Sequence, residues 1–404
     1  MAALAPFRAL RPAPSAADRV AAVPYDVVDT EEARELAAGN PLSFLHVSRA
    51  EIDLAEGTSP YEDDVYAQAV ANFELLKKEA PLVLEDAPAL YAYRQRMGTH
   101  SQVGIAGCFA VDDYDRDVIR KHEHTRPDKE DDRTRHLLAL RAQTGPVFLT
   151  YRSRPAVDAL IARVIAGAPL YDFTAVDAVQ HTIWKVDSLE EHQLVVAFDA
   201  VPALYIADGH HRAASAARAR RQLAGASGAR GDWDWFLAVA FPDVQLLILP
   251  YNRVVKDLAG MTPDTFITAL RQRFAIRDGT ATPARRGEVS MFLGGRWHTI
   301  VLDANVTNTP AERLDVTRLQ DSVLAPLLGI GDVRTDKRID FVGGARNTAE
   351  LESRVRSGAA AVAFSLYPVD VQDLMAITDA GGIMPPKSTW FEPKLRDGLL
   401  SHLV

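Results

Sequence analysis

Short apolar runs rich in β-branched residues recur along the chain, and segments with apolar residues at helical spacing separate them. The runs predict strands at residues 21–23, 43–47, 89–93, 103–111, 147–151, 182–186, 203–206, 236–241 and 246–249. The segments between them predict helices at residues 30–38, 61–78, 133–142, 156–166 and 211–223. This alternation predicts a mixed α/β or α+β protein.

The chain length and a change of pattern predict more than one packed unit. The 404 residues exceed what a single hydrophobic core usually organises. A small, polar run at 225–231 predicts an exposed loop. Later segments predict a helix at 261–274, a hairpin at 289–302 turning at Gly294-Gly295, helices at 314–328 and 349–356, and strands at 339–342 and 360–366. We therefore expect a catalytic α/β region at 1–255 and a C-terminal α/β subdomain at 256–404.

The composition excludes several classes of protein. Apolar residues make up 48% of the chain and charged residues 25%, which is typical of a globular protein. The net charge of -9 argues against a general nucleic-acid binder, because such proteins need a basic face. Cys108 is the only cysteine, so an intrachain disulfide is excluded. Its position in an apolar run predicts that it is a core residue.

The sequence also argues against a membrane protein. The N-terminal residues lack the apolar core of a signal peptide, and no apolar run approaches the ~20 residues that cross a bilayer. We expect a soluble cytoplasmic protein that binds neither membrane nor nucleic acid. Assembly as a homodimer is compatible with the sequence.

The strongest candidate site follows the predicted strand at 203–206. Asp208 and Gly209 interrupt that strand, and His210, His211 and Arg212 open an alanine-rich helix. Glycine permits a tight turn and a close ligand, while the first N–H groups of a helix favour an anion. Arginine can give a phosphate two parallel hydrogen bonds. The turn therefore predicts a phosphate site, with the acid as a Mg²⁺ ligand or a base; a mere helix cap is the less favoured alternative.

A second candidate is the charged segment at 119–133, which mixes both signs. Its reactive side chains are Lys121, His122, Glu123, Arg126, Lys129, Glu130 and Arg133. Such a mixture can bind phosphate through its cations while its acids hold Mg²⁺ or accept a proton. A solvated, salt-bridged loop is an equally weighted alternative.

Several short motifs, spread in order over nearly the whole chain, resemble one known family. They are residues 7–12, Pro24-Tyr25-Asp26-Val27, residues 40–47, Lys121-His122-Glu123, Gly145-Pro146-Val147-Phe148, residues 205–212 and residues 384–389. These motifs resemble the bacterial and archaeal family catalogued as domain of unknown function 1015. The Asp-Gly-His-His-Arg element is also similar to the nucleotide-binding motif of ParB/sulfiredoxin-type proteins, including free serine kinases.

The resemblance implies a ParB/sulfiredoxin-like phosphate-binding core elaborated with additional α/β subdomains. It also implies an ATP-dependent kinase, with ATP or ADP as donor and Mg²⁺ as cofactor, that converts free L-serine to O-phospho-L-serine. The nucleotide phosphates would then contact Gly209, His210, His211 and Arg212. Asp208 would lie near Mg²⁺ or the serine hydroxyl.

Within that interpretation, the charged segment supplies the remaining functions. The transferred group would be neutralised by Lys121, Arg126, Lys129 or Arg133. The metal ligands or the base would be Asp208, Glu123 and Glu130, with His122 beside them. Glu31, Asp26 and Glu123 all remain candidates for the base. Because a kinase needs both charge signs around one phosphoryl group, we expect His122 or Glu123 to face the turn at 210–212.

Two other functions fit the same residues. One is a non-catalytic nucleotide-binding switch of the ParB kind, which would change partners without modifying serine. The other is a metal-dependent hydrolase that uses the histidines and acids as metal ligands.

Overall fold

The computed structural model describes residues 2–80, 82–225, 228–302 and 309–404. The chain forms two compact units, one made of Met1–Leu246 with Pro393–Val404 and the other of Leu247–Glu392. The first unit thus breaks off at Leu246, nine residues before the predicted boundary at 255, and the chain rejoins this unit at Pro393. Residues 226 and 227 of the loop predicted at 225–231 lie outside the described residues.

Strands and helices both contribute to the two units, which confirms a mixed α+β protein. The strands are β1 (Leu4–Ala5), β2 (Ala9–Arg11), β3 (Val83–Leu84), β4 (Tyr91–Met97), β5 (His100–Ala110), β6 (Ile119–Arg120), β7 (Ala142–Gln143), β8 (Val147–Tyr151), β9 (Tyr171–Thr174), β10 (Gln180–Lys185), β11 (Leu204–Asp208), β12 (Trp235–Pro242), β13 (Leu247–Leu249), β14 (Tyr251–Val255), β15 (Ala275–Asp278), β16 (Glu288–Leu293), β17 (Arg296–Val301), β18 (Ile339–Gly343), β19 (Val362–Leu366), β20 (Trp390–Glu392) and β21 (Ser401–Leu403).

The α-helices have the following bounds. They are α1 (Ala17–Val20), α2 (Thr30–Ala37), α3 (Leu45–Ser48), α4 (Asp63–Glu79), α5 (Val111–Asp115), α6 (Pro127–Leu140), α7 (Pro155–Val164), α8 (Ser188–Phe198), α9 (His210–Ala224), α10 (Pro263–Arg271), α11 (Asp315–Leu319), α12 (Ala325–Leu328), α13 (Asn347–Arg356) and α14 (Val371–Asp379). A π-helical turn at Gln320–Leu324 joins α11 to α12.

The first unit is built on a nine-stranded sheet in the order β6-β11-β8-β12-β5-β4-β10-β9, with β1 paired to β5. Strand β11 runs parallel to β6 and antiparallel to β8, and its pairing with β8 shifts register between Ile206 and Asp208. Apolar side chains such as Phe109, Phe198 and Phe236 fill the core against this sheet. The sheet therefore fixes the end of β11, where the Asp-Gly turn begins.

Two predicted strands are wrong. Residues 43–47 lead into helix α3, and Phe44, Leu45 and Val47 are all buried. The strand prediction failed because so short an apolar run has no periodicity that distinguishes a strand from a helix. At 21–23 the structure has only a single bridge between Ala22 and Asp397. Helix α6 begins six residues earlier than predicted, with Pro127 in its first turn, where a proline costs no hydrogen bond.

The second unit contains a six-stranded sheet in the order β15-β17-β16-β19-β14-β18. The predicted hairpin is confirmed as β16 and β17, and both Gly294 and Gly295 have positive φ, as a tight two-residue turn requires. In β14, the buried Arg253 donates hydrogen bonds to the backbone carbonyls of Tyr251, Pro386 and Lys387. Burial lowers the pKa of Arg253 to about 9.

Candidate functional site

The turn between β11 and α9 depends on Gly209. Its φ is 95°, in the left-handed region where a side chain is disfavoured. A Cβ at this position would also lie 3.0 Å from Nε of Arg212, which folds back over the turn. Gly209 itself is the residue that precedes the helix, so Asp208 is not the cap of α9. The turn therefore leaves the first N–H groups of α9 uncapped by any side chain, as an anion site requires.

Asp208 is held as an anion by two cations. Its Oδ2 accepts a hydrogen bond from Nζ of Lys394 at 3.1 Å and lies 3.8 Å from a terminal nitrogen of Arg212. Burial alone would raise the pKa of Asp208, but Lys394 and Arg212 together hold that pKa below its usual range. A carboxylate this acidic is a poor proton acceptor near neutral pH. It is better suited to binding a cation or balancing charge.

The charged segment packs against the turn, as we expected. The rings of His122 and His210 meet edge to face with centroids 4.4 Å apart, and the backbone N–H of His122 faces Nε2 of His210 at 3.4 Å. The backbone N–H of Arg126 donates to Nε2 of His211 at 3.0 Å. Two segments about 85 residues apart in sequence therefore share one site.

Burial keeps both inner histidines neutral at neutral pH. It lowers the pKa of His122 to about 4, and it lowers the pKa of His210 well below the ordinary value, with a further contribution from His122. These rings can donate or accept hydrogen bonds, but they do not supply positive charge. Arg212 and Lys394 are therefore the cations that directly adjoin Asp208.

His122, Glu123 and His210 also form a group that could hold a metal ion. One ligand atom from each lies within 4.8 Å of the others. Neutral imidazoles and a carboxylate are ligands for zinc and other transition metals. Within the described parts of the chain, Nδ1 of His122 is buried and has no hydrogen-bond partner.

The other cations of the charged segment contact different partners. Lys121 donates to the backbone carbonyl of Tyr114 at 2.8 Å, and Lys129 donates to the hydroxyl of Tyr61 at 2.7 Å. The exposed side chain of Arg126 pairs with Asp128. The structure therefore brings the backbone of this segment to the turn, but it directs these three side chains to other residues.

Glu130 and Arg133 belong to the packing of α6. The carboxylate of Glu130 accepts from Thr125 at 3.0 Å and lies 3.7 Å from Arg218 of α9. Arg133 pairs with Asp132 at 2.7 Å, and its guanidinium lies 4.0 Å from the ring centre of Tyr25. The pair of Glu130 and Arg218 thus links α6 to α9, and Arg133 packs α6 against Tyr25.

Sequence reasoning missed Lys394 and Asp397, which reach the site from the returning C-terminal segment. Asp397 is almost fully buried, and burial raises its pKa to about 7 despite the nearby Arg212. Neither residue belongs to a recognisable motif, and Lys394 lies 186 residues from Asp208. Only an observed contact identifies such a pair.

The family model described as "Protein of unknown function (DUF1015)" matches residues 4–317. This chain belongs to the DUF1015 family. A comparison with curated protein sequences gives no match to this DUF1015 protein. Among the described residues, no helix combines the length and apolarity needed to cross a membrane.

Several solved structures are distantly similar to this DUF1015 protein. A conserved hypothetical protein from Pyrococcus furiosus has 14% identity and a TM-score of 0.37, over 74% of this chain and 95% of that one. A free serine kinase in complex with AMP has 11% identity and a TM-score of 0.38, over 73% and 92%. SbnI from Staphylococcus aureus, truncated at its C-terminus, has 13% identity and a TM-score of 0.36, over 72% and 85%. No inference about activity rests on likenesses this distant.

Proposed function

We propose that this protein is a small-molecule kinase that transfers a phosphoryl group from ATP to the hydroxyl of free L-serine. The products would be O-phospho-L-serine and ADP; with ADP as donor, the second product would be AMP. One observation carries the proposal: the uncapped start of α9 lies beside the cations Arg212 and Lys394 and beside the carboxylates of Asp208 and Glu123. Phosphoryl transfer needs both signs of charge around one group.

The nucleotide phosphates would bind at the start of α9. The N–H groups of its first turn, together with Gly209, allow phosphate oxygens to approach the backbone closely. His210 and His211 contribute neutral hydrogen-bonding groups, and Arg212 contributes charge. Lys394, which pairs with Asp208 in this structure, can turn its ammonium group to the phosphates.

Asp208 fits the role of Mg²⁺ ligand better than that of base. Its low pKa leaves the carboxylate ionised, and Mg²⁺ prefers oxygen ligands from one or two carboxylates and the substrate phosphates. When bound, the ion would neutralise charge on the phosphates. The carboxylate of Glu130 is engaged with Thr125, which makes it the weaker candidate ligand.

Glu123 is the best candidate for the base. It is half-buried and adjoins His122 and His210, in the space next to the turn. Glu31 is exposed on α2 and lies 3.6 Å from Arg34, while Asp26 is an exposed acid that interacts with Arg212. In the proposed step the serine oxygen attacks the terminal phosphorus and the bond to the leaving nucleotide breaks. Glu123 takes the hydroxyl proton.

The experiment is to incubate pure protein with ATP, Mg²⁺ and L-serine and to measure O-phosphoserine by mass spectrometry. We expect Glu123→Gln to lower turnover by ~10²–10⁴, as for a lost general base, while nucleotide affinity is kept. Glu31→Gln is the matched control and should leave turnover unchanged. Absence of phosphoserine with the unsubstituted protein, or normal turnover in Glu123→Gln, would contradict the proposal.

A second candidate function is a metal-dependent hydrolase, which the grouping of His122, Glu123 and His210 favours. It predicts release of inorganic phosphate or another hydrolysis product with Zn²⁺ or Mn²⁺ and without any serine. Nucleotide binding with no turnover under either condition would instead favour the switch protein. The same incubations therefore separate the three functions.

A further inference from the structure

Two buried polar atoms beside the phosphate site have no hydrogen-bond partner among the residues that the structure describes. They are Nε of Arg212, which is a donor, and Oδ1 of Asp397, which is an acceptor. The side chain of Arg212 is 10% exposed, and Asp397 is 3% exposed. Buried polar atoms in folded proteins nearly always have partners, so two such atoms near each other need an explanation.

Both residues line one cavity of about 50 Å³. Tyr25 and Arg133 form part of its wall, with the arginine held by its ion pair to Asp132 and its contact with the tyrosine ring. Ser48 also lines the cavity, and its hydroxyl is buried without a partner in the described part of the chain. The cavity is therefore lined by a guanidinium, a carboxyl group and a serine, all held on packed elements.

Gly145 makes room for the buried acid. A Cβ at this position would lie 2.4 Å from Oδ1 of Asp397, much closer than any real contact. The adjacent Pro146 accepts a hydrogen bond from Arg212 at 2.6 Å through its carbonyl. Gly145 thus leaves space for the carboxyl of Asp397, and the carbonyl of Pro146 holds the guanidinium of Arg212.

We infer that this cavity binds the charged end of a small amino acid, with its ammonium group on Asp397 and its carboxylate on Arg212. A guanidinium and a carboxyl group that line one cavity are complementary to a ligand that carries both charges. The volume admits such an end group and is far too small for a nucleotide. Because Arg212 also lies 3.8 Å from Asp208, the bound amino acid would lie next to the phosphate turn.

This inference deepens the proposed function, on which it rests for the identity of the ligand as the phosphoryl acceptor. Binding of the amino acid is nevertheless measurable without turnover. The probes are L-serine, which carries both charges, and 3-hydroxypropionate and ethanolamine, which each lack one of them. Isothermal titration calorimetry would measure the affinity of each for the full-length protein.

We expect L-serine to bind more tightly than either single-charge probe. Asp397→Asn should weaken L-serine binding by about 10- to 100-fold, as expected when a hydrogen bond to a charged group is lost. Nucleotide affinity should not fall, because Asp397 is one of the acids that offset the charge of Arg212. Gly145→Ala should give a similar loss by occupying the space of the carboxyl without changing any charge. Asp18→Asn, at an exposed site, is the matched control.

The outcomes separate this inference from the kinase proposal. Unchanged L-serine affinity in Asp397→Asn, or no amino-acid binding to the unsubstituted protein, would overturn the cavity assignment and leave water as its occupant. L-serine binding that depends on Asp397, without any phosphoryl transfer, would uphold the cavity and refute the kinase. Thermal unfolding of each variant shows that it is folded, and Gly145→Ala serves as the second test if Asp397→Asn is not.

Discussion

Replacing Asp208 by asparagine removes the negative half of its pair with Lys394 and keeps the shape of the side chain. Two unit charges 3.1 Å apart attract by about 5 kcal/mol at an effective dielectric constant of 20. Removal of both groups from water offsets much of this attraction, because the side chains of Lys394 and Asp208 are only 11% and 24% exposed. We therefore expect a net coupling of ~1.5–3 kcal/mol, the range for hydrogen bonds between charged groups.

A double-mutant cycle with Asp208→Asn, Lys394→Met and the combined variant measures this coupling by urea unfolding. The folded-state pKa of Asp208 is lowered, so its contribution to stability is complete above the unfolded pKa of about 4 and decreases as the pH falls further. The difference in the free energy of unfolding between the unsubstituted protein and Asp208→Asn should therefore shrink below about pH 4. A coupling under ~0.5 kcal/mol, within the error of such cycles, would contradict the expected net stabilisation.

The same variant separates two roles for Asp208. Without the carboxylate, Lys394 and Arg212 are left with less compensation, so nucleotide in the absence of Mg²⁺ should bind more tightly. If Asp208 also holds Mg²⁺, the gain in affinity on adding Mg²⁺ should disappear. Titrations of ATP with and without the ion test this, and an unchanged effect of Mg²⁺ would exclude Asp208 as its ligand.

Three further predictions concern single residues. Gly209→Ala should destabilise the protein by ~1–2 kcal/mol, because the backbone at this residue is left-handed, and should also weaken nucleotide binding by displacing Arg212. Gly39 also has a positive φ but has open space around it, so Gly39→Ala should show only the stability loss in the same unfolding and titration assays. Cys108 is buried with its pKa raised well above the ordinary value, so a thiol reagent at pH 8 should label it only after unfolding, and rapid labelling of the folded protein would contradict this. Arg253→Met should cost ~1–3 kcal/mol for each backbone carbonyl that loses its donor, measured by chemical unfolding, and a neutral effect would refute the role of this arginine.

Local patterns were sufficient to predict most of the elements and the position of the turn. Strand β8 has the predicted bounds 147–151, and the glycine at 209 has the left-handed conformation that a strand-to-helix turn requires. Residues 43–47 could not be assigned correctly, since five residues are too few for a strand and a helix to differ in period.

The site was predictable only in part. Charges of both signs in the segment at 119–133 indicated that it would meet the turn, and the contact of His122 with His210 agrees with that expectation. The neutral state of these histidines was not predictable, because it results from burial. Nor was the pairing of Lys394 with Asp208, since a single sequence contains no signal that joins residues 186 positions apart.

The second unit lies between Leu246 and Pro393 in the sequence, and its two ends are neighbours because Leu247 pairs with Glu392. During synthesis, the turn at Asp208 leaves the ribosome long before Lys394 does. Until Lys394 arrives, Asp208 lacks its hydrogen-bonded cation and the cavity lacks Asp397. The first unit therefore acquires its completed charge balance only after the inserted residues have been made. The site would thus gain its ligand affinity only once the whole inserted unit has been synthesised.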